Sequence, residues 1–169
     1  MSNFLVNSHR FPVSSGTYTW DNCADADPQG IYTHVGDGFW IRNGLLVGKK
    51  ITVFNCKINR IATGTAGTLI CKQHASDDSV KSTSSTVAVS SLAALSDPPD
   101  YDNASTAVFT FSSPAEIAVD DMFLVTVDAG DGCKYWATNG VCDDYDTGMT
   151  DGSTDLPNQT SRGSVEWTI

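Results

Sequence analysis

The stretch Ala107 to Val127, AVFTFSSPAEIAVDDMFLVTV, constrains the fold more than any other part of the chain. Ala107, Phe109 and Phe111 alternate with Val108 and Thr110, and Phe123, Val125 and Val127 alternate with Met122, Leu124 and Thr126. Successive side chains of a strand point to opposite faces, so a period of two marks two strands, each with one strongly apolar face. Pro114, Asp120 and Asp121 interrupt the pattern and predict a turn that joins the strands as a two-strand unit of a β-sandwich. The unit carries no catalytic group.

Composition agrees with that reading. The chain is rich in Ser, Thr, Gly and Asp and poor in Lys, Arg, Glu and Leu, so strand and turn formers outweigh helix formers. At 169 residues it suits one domain able to bury roughly two thirds of its unfolded surface. Ten basic and 20 acidic residues give a formal charge of −10, and no basic run could track a phosphate backbone, so nucleic acid is not expected as a partner. The start, MSNFLVNSHRFPVSSG, lacks the basic region and apolar core of a secretory signal, and no stretch approaches the roughly 20 apolar residues of a membrane helix. The expectation is a soluble product made without Sec export and without membrane contact.

The remaining segments follow the same pattern. Ser8 to Val13 is a short extended candidate, followed by a polar stretch in which Trp20 reads either as a lid folded onto the sandwich or as a binding platform. After Gly36-Asp37-Gly38, Phe39 and Ile41 share one face with Trp40 on the other. A long strand runs from Lys49 to Ile61. If Ala62 to Thr65 is a hairpin loop, Ile58 pairs with Leu69 and Cys56 with Cys71, which places all four on one apolar face. Ser82 to Leu92 is a strand with Val87 and Val89 inward, and Ala93 to Ser105, with Pro98 and Pro99, is a long surface loop. Beyond Val127 lie a strand at Cys133 to Thr138, an Asn139-Gly140 turn and Val141 to Tyr145. A polar loop from Asp146 to Ser161 and a final strand from Ser164 to Ile169 complete the chain. The total is eight to ten strands without a helix: an all-β, two-sheet antiparallel β-sandwich of jelly-roll type. Residues 1–37 are read as an N-terminal arm and lead-in packing on a sandwich of residues 38–169.

Five cysteines, Cys23, Cys56, Cys71, Cys133 and Cys142, include no CxxC pair, and the three histidines are isolated from them, so no zinc site is expected. Cys56–Cys71 and Cys133–Cys142 remain open as disulfides or free thiols. There is no GxSxG, no HExxH and no phosphate loop; Glu116 and Glu166, the only glutamates, each have a structural explanation. The chain is therefore read as non-enzymatic, without a required cofactor. Calcium is the one ion the residues suggest: Asp143, Asp144 and Asp146 offer hard oxygen ligands, with Asp128, Asp131, Asp151 and Asp155 able to join them at one end of the sandwich. Clustered aspartates equally serve turns and solubility. Sugar stacking would need exposed aromatic faces, for which Trp20, Trp40, Tyr101, Tyr135, Trp136 and Tyr145 are candidates, with Trp20, Tyr101, Trp136 and Tyr145 taken as the binding set. The sequons at Asn103 and Asn158 read as chance matches.

From about Gly38 to Tyr145 the order of features resembles a diffuse group of jelly-roll domains of phage and viral structural proteins and bacterial extracellular proteins. The residues that carry this are Phe39 to Ile41, Gly48-Lys49-Lys50-Ile51-Thr52, the small-residue turn Thr63 to Leu69, and Ser85 to Leu92. Phe109-Thr110-Phe111 with Ser113-Pro114, Asp121 before Phe123 to Val127, and Tyr135-Trp136 complete it. The resemblance implies an attachment, decoration or carbohydrate-binding module and carries no site residue over. The expected function is that of a structural protein of a virion: a capsid decoration (cement) protein or a tail or fibre component. It would act as a homo-oligomer such as a trimer on capsid or other particle proteins. The alternative is a carbohydrate-binding or adhesion module holding glycan with or without Ca²⁺.

Overall fold

The computed structural model describes residues 14–21, 27–30, 37–41, 46–61, 64–98, 100–128, 133–139, 147–150, 155–156 and 159–169. These contain twelve β-strands: β1 (Ser15–Asp21), β2 (Asp27–Gly30), β3 (Asp37–Ile41), β4 (Lys50–Arg60), β5 (Thr68–His74), β6 (Val80–Ala88), β7 (Ser105–Thr110), β8 (Asp121–Val127), β9 (Cys133–Asn139), β10 (Thr147–Thr150), β11 (Asp155–Leu156) and β12 (Gln159–Thr168). The strands form two antiparallel six-stranded sheets, and the fold is an all-β sandwich. The count exceeds the eight to ten expected, because the polar stretches read as lead-in and loop supply β1, β2, β10 and β11. Strands without an apolar face carry no periodic signal; only their backbone pairing defines them.

In the first sheet the strands run β2, β9, β4, β7, and β12 and β1 extend it beside the first half of β4. At Gly163 β12 parts from β4, and its opening residues Gln159–Ser161 pair with β9. The second sheet runs β11, β10, β3, β8, β5, β6. Strands β6 and β7 edge opposite sheets, and the Thr110 amide donates to Ser85 Oγ at 3.1 Å. One side of the sandwich is closed by that contact.

Two expected hairpins are crossovers instead. Strand β4 pairs with β7, β9 and β12, whereas β5 pairs with β6 and β8 in the other sheet. Cys56 therefore faces Ala107 and Gly163 in its ladders, not Cys71, whose ladder partner is Val125. The unit from Ala107 to Val127 is likewise split, with β7 on β4 and β8 between β3 and β5. The inward residues expected from both units are buried all the same: Cys56, Ile58, Leu69, Cys71, Ala107, Phe109, Phe111, Phe123, Val125 and Val127. They meet across the core from two facing sheets. Packed sheets lie about 10 Å apart, a gap that a short connection spans as readily as it closes a hairpin.

The centre of the core is aromatic. Phe54 stacks on Phe123, with ring centroids 6.1 Å apart and planes 9° from parallel, and meets Phe109 at 6.3 Å. Phe111 stands edge-on to Phe123 at 5.9 Å. Such geometries match the ring quadrupoles and add to the large area each ring buries. Met122 and Leu124, on the face of β8 opposite Phe123, are buried as well, so this central strand is covered on both sides. Val89 is inward as expected, but it sits in a 3₁₀ turn, Val89–Ser91, because β6 ends at Ala88.

Candidate functional site

The connections β3–β4, β5–β6 and β7–β8 all lie at one end of the sandwich. Each turns on a residue with left-handed backbone: Gly48 (φ 80°), Asp78 (φ 65°) and Asp120 (φ 66°). Glycine takes this conformation without steric cost, and Asp is among the few other residues that tolerate it.

Hydrogen bonds tie these turns to one another. The Gly48 amide donates to Ile117 O at 2.9 Å, and the Ile117 amide to Lys49 O at 2.8 Å. Within the β5–β6 turn, Asp77 Oδ1 accepts from the Ser79 hydroxyl at 2.6 Å and from its amide at 3.1 Å. These bonds favour the charged form and hold the Asp77 carboxyl below the usual carboxylate range.

A buried polar node lies beneath. Asp121 Oδ2 accepts from Lys81 Nζ at 2.6 Å, Gln73 Nε2 at 2.7 Å and the Ala118 amide at 3.0 Å. Lys81 also donates to Glu116 O at 2.6 Å, and Ser82 Oγ to Gln73 Oε1 at 2.9 Å. Asp121 and Gln73 are each 1% exposed. Asp121, read from sequence as a turn residue, is thus the anchor that binds β5, β6 and the β7–β8 connection. A buried carboxylate is tolerable because a cation and two neutral donors replace its hydration.

Exposed aliphatic side chains also stand near this node, among exposed Asp77, Asp78, Glu116 and Asp120. Among the described residues five large apolar side chains are exposed: Val47 (36%), Val80 (51%), Val108 (49%), Val119 (51%) and Ile169 (61%). Four stand at this end. Val47 precedes Gly48, Val80 opens β6, Val119 precedes Asp120, and Ile169 follows Thr168, the ladder partner of Lys50. Val108 alone lies mid-strand, on β7 opposite Asn55. Sequence reasoning missed these exposed side chains. The available signal was that Val47 and Val119 sit beside turn residues, outside any strand alternation.

Beside this end, a groove of about 270 Å³ is lined by Gly16, Thr17, Thr52, Glu166, Trp167 and Thr168, among others. Its indole is engaged within the fold: Lys49 Nζ sits 4.4 Å from the ring centroid of Trp167, and a Cβ on Gly16 would lie 2.6 Å from a ring carbon.

Three of the five thiols belong to the described residues, and Cys23 and Cys142 lie outside them. Cys56, Cys71 and Cys133 are free and buried. Burial pushes the Cys133 thiol up to about 11 and raises Cys56 and Cys71 further, with the neighbouring Cys56 adding to the effect on Cys71.

The binding residues expected from sequence are spread over separate elements. Trp20 lies on β1 opposite Gly163, Trp136 on β9 opposite Pro28, and Tyr101 in the 3₁₀ turn Tyr101–Asn103 between β6 and β7. The side chains of these three, and the whole of Tyr145, fall outside the described residues. So do the calcium candidates Asp143, Asp144 and Asp146, together with Asp131 and Asp151. Asp128 clamps Thr68, accepting from its amide at 2.6 Å and its hydroxyl at 2.7 Å, and these bonds lower its pKa. No group of three or more metal-ligating side chains occurs among the described residues, and no helix there is long and apolar enough to cross a membrane. In comparison with known proteins, the chain matches no family model and no curated sequence.

Proposed function

We propose that the chain is a non-enzymatic structural protein of a virus-like particle, a capsid decoration (cement) protein or a related tail or fibre component. It works through protein–protein contacts in a virion, as a homo-oligomer such as a trimer. The observation that carries this reading is the apolar end of the sandwich. Four exposed aliphatic side chains stand there, Val47 and Val119 on turns and Val80 and Ile169 at strand ends, on elements that hydrogen bonds and a buried ion pair hold in place. Exposed apolar surface on an ordered scaffold suits contact with another protein, because little conformational freedom is left to lose on binding.

The sandwich is further read as a jelly roll. Strand orders β2-β9-β4-β7 and β3-β8-β5-β6, with each connection from β2 to β9 except β5–β6 passing between sheets, support that topology. Jelly rolls serve capsids and lectins alike, so topology does not select the function and the surface must.

Quantitative mass spectrometry of purified particles tests the proposal. The expected result is a fixed copy ratio to the shell protein. A chain missing from particles, monomeric, and retained on a polysaccharide gel would overturn it in favour of a glycan-binding module.

A further inference from the structure

We draw no further inference here: the strongest candidate, the groove between β1 and β12 lined by Gly16, Thr17, Thr52, Glu166, Trp167 and Thr168, carries nothing, because Lys49 and Gly16 already pack against its indole, the Thr52 and Thr168 hydroxyls already donate to carbonyls of the fold, and nothing in the structure shows what fills it.

Discussion

Replacing Lys81 by Met tests the buried node at its most exposed member. The substitution keeps most of the stem volume and removes the ammonium that lies 2.6 Å from Asp121 Oδ2. Breaking a buried ion pair from one side costs about 3–5 kcal/mol, because the remaining charge stays desolvated without compensation. Two features reduce that figure here. The Lys81 side chain is 24% exposed, so solvent already screens part of the attraction, and Asp121 keeps Gln73 Nε2 and the Ala118 amide as donors. The expected loss is about 2–3 kcal/mol, a large part of the roughly 5–15 kcal/mol that stabilises a domain. Asp121→Asn in the Lys81→Met background should restore about 1 kcal/mol or more, since a neutral amide still accepts from both donors and leaves no bare charge. Equilibrium urea denaturation of the wild type, both single variants and the double variant measures this, with constant m-values confirming that only stability changes. A double variant no more stable than Lys81→Met would refute the reasoning, because the cost would then come from lost packing and not from an unpaired charge.

The aromatic core makes a second prediction: Phe123→Ala should cost about 3–5 kcal/mol in the same assay, and a loss below about 1 kcal/mol would contradict the packing of Phe123 against Phe54 and Phe111. Gly16→Ala should destabilise by about 1–3 kcal/mol, since its Cβ would meet the Trp167 ring at 2.6 Å and that ring is packed against the core; a neutral result would show that the indole can shift. Site-resolved alkylation of the native protein should leave Cys56, Cys71 and Cys133 unmodified until the chain unfolds. Their folded pKa values lie above the unfolded value, so the stability held by the neutral thiols is complete below the unfolded pKa and lost as pH rises through the folded values. Denaturation midpoints should therefore fall from about pH 8 to about pH 10.5, and a flat profile would contradict the burial of these thiols.

How much was legible in the sequence can be judged at particular residues. Alternation from Ala107 to Phe111 and from Phe123 to Val127 identified strands and their inward faces correctly, because a strand's pleat ties side-chain direction to position by local geometry alone. The same alternation did not reveal that β7 and β8 belong to different sheets, nor that Cys56 and Cys71 approach from opposite layers. Partner choice depends on total burial across the whole sandwich, and a crossover and a hairpin leave identical local patterns. Burial of Met122 and Leu124 on the outward face of β8 was likewise invisible, since the alternation does not show what covers that face.

The candidate surface divides in the same way. Sequence by itself determined the class of the fold, the inward set of side chains, the absence of familiar catalytic motifs and the acidic charge. Only the tertiary structure gathered Val47, Val80, Val119 and Ile169 at one end and turned Asp121 from a turn former into a buried anchor for Lys81 and Gln73. The physical reason is range. Residues that sit far apart in the chain meet there because three connections of the sandwich end at the same place, and no local pattern encodes that meeting.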